Sequence, residues 1–364
     1  MMEFAPKKID LYIFRRFMVT FALAMILIIG IVIIFDISEK IDDFVAKEAP
    51  LKAIIFDYYL NFIPYFINMF SPLFVFITVI FFTSRMAANS EIIAILCGGV
   101  SYSRMLVPYM VSATIICLLS LGLNLFVIPQ SNKTRLGFEQ KYVKSRNVNY
   151  EDVHYQIAPG EFVYVERFST WNNTAYKFTL EKVDKGRLVS KTAAESAVWD
   201  STYGGWHLRK YFTRTYAEGG LGDKIVSGAQ KDTILPLTVT DFYRNKKTVE
   251  TLDYKQLSQL IETQKMRGDH NVMYSEIEMH TRFAMPFSGF ILTLMGVALS
   301  SRKKRGGIGW NIGIGIGLAF TYILFQRFSQ MFVFTGAMSP VLAIWLPNLL
   351  YALVAGILYT KAQK

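Results

Sequence analysis

Four histidines and two cysteines are the residues of this chain best suited to catalysis or metal binding. His154, His207, His270 and His280 are scattered, and none belongs to an HExxH pair that would hold zinc on one helix face. No GxSxG presents a nucleophilic serine, and no GxxxxGK[ST] loop cradles a phosphate. His154 and His207 stand in alternating segments and read as strand residues. Cys97 and Cys117 both lie outside the polar middle of the chain and form no CxxC or Cys/His cluster. The expectation is a chain with no metal, no cofactor and no catalytic set of its own.

What remains is a small set of cations and glycines in apolar surroundings. Lys40 lies just past the first apolar run. At about 1.5 Å per residue from Arg16 it falls at or above the outer headgroup level. Lys133 and Arg135 follow Pro129, with Lys141, Lys144 and Arg146 behind them. Arg282 opens a later apolar run, and Arg327 is the lone charge between Arg305 and Lys361. Counted from Ile308, Arg327 lies about 28 Å along a helix. Charges inside apolar spans are expensive and tend to be functional. The plainer readings are an i,i+4 pair of Lys40 with Asp36, a solvated basic stretch around Lys133, and snorkelling of Arg282 and Arg327 to headgroups. Gly309, Gly313 and Gly317 recur every four residues, a spacing that lets helices approach closely.

Apolar runs position these residues. Hydrophobic residues make up 52% of the chain and charged residues 18%, against about 25% charged in soluble domains. A crossing helix needs about 20 apolar residues. Phe17 to Phe35 and Tyr58 to Ser84 give the first two spans, the second with a kink expected at Pro64 or Pro72. Met105 to Ile128 gives the third, ending at Pro129. Phe283 to Ser301 gives the fourth. Gly336 and Pro340 split the last stretch into spans near Gly309 to Phe334 and Val341 to Thr360. The basic residues Lys7, Lys8, Arg15, Arg16, Arg85, Arg104, Arg302, Lys303, Lys304, Arg305, Lys361 and Lys364 fall on one side. The other short loops hold only Lys40, Lys47 and Lys52 among many acids. That bias places both termini inside. It also accounts for the net charge of +11 without nucleic-acid binding.

The middle segment reads as short strands. Phe162 to Val165, Tyr176 to Leu180 and Trp206 to Arg209 are β-rich or alternating, and Asp184-Lys185-Gly186 and Tyr203-Gly204-Gly205 are turn sequences. Ile234 to Val239 is expected as an edge strand because of Pro236. A sandwich or jelly roll is the fold that this pattern suggests. From Leu252 to Met266 the period turns helical, with Leu257, Leu260 and Ile261 on one face. The expected fold is a polytopic α-helical membrane protein with six transmembrane helices and an extracytoplasmic β-jelly-roll-like domain. Its parts are 1–129, with a coupling helix at about 85–98, then 130–277 with a connector helix at about 252–266, then 278–364.

The loop after the second span, Ser84-Arg85-Met86-Ala87-Ala88-Asn89-Ser90-Glu91-Ile92-Ile93-Ala94-Ile95-Leu96-Cys97-Gly98-Gly99-Val100-Ser101, is too apolar and too regular for a plain loop. Ile92, Ile95 and Leu96 share a helical face, and Gly98-Gly99 ends the helix. It resembles the coupling-helix region of the LptF/LptG (YjgP/YjgQ) family of lipopolysaccharide export permeases, the segment by which an ABC transporter permease docks its ATPase. Val127-Ile128-Pro129-Gln130 is similar to that family's exit into its periplasmic domain. Gly160-Glu161-Phe162-Val163-Tyr164-Val165-Glu166-Arg167 resembles an early strand of its jelly roll.

The resemblance implies a transporter permease subunit in the inner membrane of a Gram-negative cell envelope, not an enzyme. ATP and Mg would sit on a partner, an LptB-like cytoplasmic ATPase dimer. Further partners would be a second LptF/LptG-like permease, LptC-like and LptA-like proteins, and lipopolysaccharide. Arg85, Glu91, Ile92, Ile95, Gly98 and Gly99 would couple to the ATPase, Glu91 by pairing with a basic residue there. The plainer role for Glu91 is an acid at a helix N-terminus. Lys40, Lys133, Arg135, Arg327 and Arg282 would contact lipopolysaccharide. Gly309, Gly313 and Gly317 would line a lateral gate or partner interface, or else serve ordinary packing. A membrane-anchored envelope enzyme and a mechanotransmission subunit are the competing classes. The first needs a catalytic set that the middle segment does not offer, and the second usually has fewer spans.

Overall fold

The computed structural model describes residues 7–143, 149–217, 222–242, 246–269, 271–302 and 307–362. They form two compact units, Met1–Val143 with Glu276–Lys364, and Lys144–Ser275.

The helical unit opens with α1 (Lys8–Ala46), whose start is fixed by the Lys7 amide donating to Asp10 Oδ2 at 2.8 Å. A short α2 (Leu51–Ala53) runs through a π-helical segment, Ile54–Tyr59, into α3 (Leu60–Ala88). The short α4 (Glu91–Cys97) follows, then α5 (Tyr102–Gly122), a second π-helical segment, Leu123–Val127, and α6 (Ile128–Tyr142). Three helices complete this part of the chain: α10 (Val272–Ser300), α11 (Gly307–Phe334) and α12 (Pro340–Ala362). Among the described residues, six helices are long and apolar enough to cross a membrane.

The helix of the third span does not stop at Pro129. The helix runs on from Tyr102 to Tyr142, 41 residues or about 61 Å, twice a bilayer core of about 30 Å. The π-helical turn ahead of Pro129 is the physical reason. Widening to an i→i+5 bond, with the Ile128 amide on Leu123 O, moves the carbonyl that a proline ring meets four residues back.

Apolar clusters hold the helices together. Ile13 and Phe17 of α1 pack with Val79, Phe82 and Met86 of α3, Met105 and Tyr109 of α5 and Val297 of α10. Several polar side chains buried between helices are paired, as a low-dielectric interior favours. Asn68 donates to Asn124 Oδ1 at 2.8 Å, Ser120 to Asn68 Oδ1 at 2.5 Å, and Asn124 to the Arg282 carbonyl at 3.2 Å. This chain of bonds ties α3, α5 and α10, and the π turn is what brings Asn124 into it. Tyr322 and Asn348 do the same for α11, α12 and α10.

The second unit is one antiparallel sheet of six strands in sequential order: β1 (Asn149–Ala158), β2 (Glu161–Ser169), β3 (Thr174–Asp184), β4 (Arg187–Asp200), β5 (Gly205–Thr215) and β6 (Lys224–Thr233). The β-rich unit between helices was expected. Its connectivity is a meander, so the Greek-key crossings of a jelly roll do not occur among the described strands. The register sets Val163 opposite Leu180 and Val165 opposite Phe178, and these side chains build the buried face with Tyr155, Phe168, Trp206 and Leu208. Gly160 makes the tight turn between β1 and β2. It has φ +77°, and its carbonyl accepts the Val183 amide at 2.7 Å.

The expected edge strand at 234–239 is corrected. This segment is irregular and lies on the buried face. Leu237 is fully buried, and its carbonyl accepts the Trp206 indole N–H at 2.7 Å. Pro236 has no amide to give a ladder, so the carbonyls serve a side chain instead. Then come α7 (Val239–Phe242), whose Phe242 stacks on Phe168 at 4.2 Å, α8 (Lys246–Val249) and α9 (Tyr254–Met266). Asp253 and Gln256 form a reciprocal capping box at the start of α9, which buries Leu257, Leu260 and Ile261.

Candidate functional site

The α4 segment is built as a closed corner. Ser90 enters at φ +61°. At the other end the Gly99 amide bonds Leu96 O at 3.0 Å and the Val100 amide bonds Ile95 O at 3.4 Å, with Gly99 at φ +84°. That is a Schellman cap, for which a residue without Cβ is the natural choice. Ile92 is 1% exposed and packs with Ile13, Phe17 and Met105, while Ile95 is half-buried beside it. Ile93, Leu96 and Cys97 face outward, as do Arg85, Gly98 and Gly99. The apolar residues free to meet a partner are therefore Ile93 and Leu96. Of the pair Ile92 and Ile95, the first is spent on the chain's own core. An uninterrupted apolar run hides this distinction, because the side on which α4 rests is a tertiary matter.

Glu91 accepts from the Tyr12 hydroxyl at 2.9 Å and from Asn89 Nδ2 at 3.3 Å. Next to it, Arg104 makes a two-bond pair with Asp10, at 2.8 and 2.5 Å. Neither Tyr12 nor Asp10 carries a sequence signal, since their partners lie 79 and 94 residues away. The same end of the helical unit gathers other expected basic residues. Arg302 donates to the Lys361 carbonyl at 2.7 Å, closing the end of α12, and Tyr102 bonds Ser301 at 3.2 Å. Lys303, Lys304, Arg305 and Lys364 lie outside the described residues, as do His270, Lys144 and Arg146.

The five candidate cargo cations fall into two groups. Lys40 pairs with Asp36 at 2.6 Å and with the Tyr58 hydroxyl, and Asp36 also accepts from Tyr58 and Tyr59. Arg135 is 7% exposed, lies over the Tyr65 ring at 5.0 Å and has Glu139 at 3.9 Å. Arg282 is 3% exposed and donates to Glu278 at 3.0 Å. These three are built into the protein. Lys133 on α6 and Arg327 on α11 are exposed. Three of the five are thus paired within the chain and two are exposed.

The glycine stripe on α11 faces open space: a Cβ at Gly309, Gly313 or Gly317 would meet nothing within 4 Å. Packing within the chain is served by other glycines. A Cβ on Gly315 would collide with Ile80, and one on Gly296 would lie 2.9 Å from Val79.

In the sheet unit, His207 is held between Asp232, at 2.6 Å, and Asp200, at 3.3 Å, with Tyr203 stacked on its ring. The bonds to Asp232 and Asp200 raise the His207 pKa above the ordinary value; Asp232 is held below its own mainly by His207, and Asp200 first by the Thr202 amide and then by His207. The arrangement fastens the β4–β5 turn to β6. No group of three metal ligands occurs among the described residues.

Compared with known proteins, the chain finds no match among curated proteins. It does match a family, described as lipopolysaccharide export system permease LptF/LptG, over residues 11–361. Permeases of that family are transmembrane subunits, and the ATPase of their system is LptB. The matched stretch takes in every long apolar helix, the α4 corner and the whole sheet, so the protein belongs to the LptF/LptG family and is a permease of the lipopolysaccharide export system.

Proposed function

We propose that this subunit draws lipopolysaccharide from the outer leaflet of the inner membrane and passes it to a periplasmic bridge of LptC-like and LptA-like proteins. It works as one of two LptF/LptG-like permeases above an LptB-like ATPase dimer. The ATPase binds at α4, both termini are cytoplasmic and the sheet unit is periplasmic. Supporting this orientation, Lys8, Arg15, Arg16, Arg85, Arg104, Arg302 and Lys361 all sit on the α4 side of the helix connectivity.

The observation that carries the reading is the division of α4. One face, through Ile92, is locked to the chain's own helices, and the other offers Ile93 and Leu96 beside an acid. A short helix built that way is a handle for another protein. The open glycine face of α11 supports a second subunit there, and the exposed Lys133 and Arg327 suit phosphates at headgroup depth. The test is purification. Glu91→Lys places like charges together at a docking site, which costs several kcal/mol, so the variant is expected to lose its ATPase while the membrane complex stays folded. Retention of the ATPase at wild-type yield overturns the docking role.

A further inference from the structure

We propose that the start of α1 moves as one body with α4, and that Tyr12 and the Asp10–Arg104 pair are the positioning residues that join them. The inference rests on α4 being the ATPase-docking helix. It adds which transmembrane helix receives the motion and through which groups.

Packing singles out α1. Its most apolar window is 17% buried, the lowest of the six spans, followed by 22% for α11 and 28% for α12, with 50% for the α3 span and 67% for α10. Polar grips steer such a helix, and the far one is Lys40 and Asp36 on Tyr58 and Tyr59. At the α4 end the grip is directional. The Tyr12 hydroxyl reaches Glu91, the first residue of α4, and the two-bond Arg104–Asp10 pair fixes the angle between α1 and the start of α5, directly after α4. Ile92 fills the space beneath these bonds and touches the same cluster as Ile13 and Phe17. On the other side of this corner the links are neutral, a Tyr102–Ser301 bond and a Tyr102–Tyr359 ring contact. A push on α4 therefore reaches α1 through these directional bonds, alongside the direct chain connection of α4 to α3.

The test uses the full wild-type complex with its cognate ATPase, reconstituted in nanodiscs with lipopolysaccharide. Tyr12→Phe removes a single hydroxyl, and Asp10→Ala breaks the ion pair. Both variants are expected to bind the ATPase and hydrolyse ATP as wild type does. The lipid released per ATP should fall roughly tenfold, the scale of one lost hydrogen bond to a charged group. The charge-swapped Asp10→Arg, Arg104→Asp double variant is expected to recover most of that loss, which a merely structural defect would not do. A second readout tracks the motion itself. Spin labels on the exposed native Cys97 and on Leu11→Cys, also exposed, should keep one distance through the nucleotide cycle, and should change distance in the Tyr12→Phe background. Unchanged lipid per ATP in both single variants, or a label distance that varies in the unaltered chain, overturns the proposal. Loss of the ATPase from the wild-type complex would instead overturn the docking reading, and it is seen before any variant is made.

Discussion

The α4 corner and the glycine face of α11 are both built from small apolar stretches beside a membrane helix, yet they are finished in opposite ways. At α4 the inward side chains are consumed by the chain itself: Ile92 is buried, Glu91 is bonded to Tyr12, and Arg104 to Asp10. On α11 the glycines meet nothing within 4 Å, with Trp310, Ile316 and Phe320 exposed around them. A surface completed within the chain holds shape and can transmit force. A surface left open, made of residues that permit close approach, is suited to another helix. The same contrast separates the paired Lys40, Arg135 and Arg282 from the exposed Lys133 and Arg327.

The sharpest way to break this comparison is inside α4. Ile92→Ala opens a cavity in a packed cluster and should cost about 2–4 kcal/mol of stability. Ile93→Ala on the outer face should stay within about 0.5 kcal/mol. Thermal unfolding in detergent checks both, and equal losses would mean that α4 has no inner and outer side. ATPase retention should show the reverse sensitivity, with Ile93 the more damaging site.

On α11 the expected effect is somewhat smaller. Gly315→Leu drives a side chain into Ile80 and should destabilise by about 1–3 kcal/mol. Gly313→Leu and Gly317→Leu should leave the isolated chain as stable as wild type while impairing assembly or transport in a complementation assay. Normal complementation by both, with expression checked, would reduce the stripe to incidental glycine.

Among the cations, Lys133→Glu with Arg327→Glu should lower the lipopolysaccharide that co-purifies with the complex. Each partly solvated contact is worth about 1 kcal/mol, by analogy with exposed ion pairs. Lys40→Glu should first disturb stability, because it sets an acid beside Asp36. Lipid occupancy that falls only with Lys40, at unchanged stability, would reverse the division into structural and exposed cations.

The smallest effect belongs to His207. Its folded pKa is raised by Asp232 and Asp200, so the stability it contributes is complete below its unfolded pKa of about 6.5 and is lost as pH rises through the folded value. The two aspartates have lowered pKa values, and their contribution fades only as pH falls through those values. The unfolding temperature of the sheet unit should decline gently on going from mildly acid to mildly alkaline pH, and His207→Gln should flatten that slope. An unchanged slope would show that the clamp does not act in solution.

Much of this was legible in the residues. Long uncharged runs dictate spans, because water-free surroundings leave a backbone no alternative to helix. The Gly98-Gly99 pair announces the end of α4, since a left-handed residue is needed there. The alternation in Phe162 to Val165 and Tyr176 to Leu180 marks strands with one buried face. The local rules failed where a distant partner decided. Pro129 looks like a terminus until the π turn ahead of it makes room, and Pro236 looks like an edge strand until Leu237 turns its carbonyl to the Trp206 indole.

Periodicity and solvent preference, both properties of the sequence by itself, determined six apolar helices, a β-rich insertion, a capped apolar helix between the second and third spans, and the lack of a catalytic motif. Only the tertiary structure decided which side of each element is spent. Ile92 and Ile93 are identical neighbours in the chain, and Lys40 and Arg327 are both lone cations near a span end. Their fates differ because α1 lies against α4 and because Asp36, Tyr58 and Tyr59 converge on Lys40, whereas no ion pair to Arg327 forms among the described residues. Side-chain chemistry is local, but pairing and burial depend on approach between segments far apart in sequence, and that information exists only once the helices have packed.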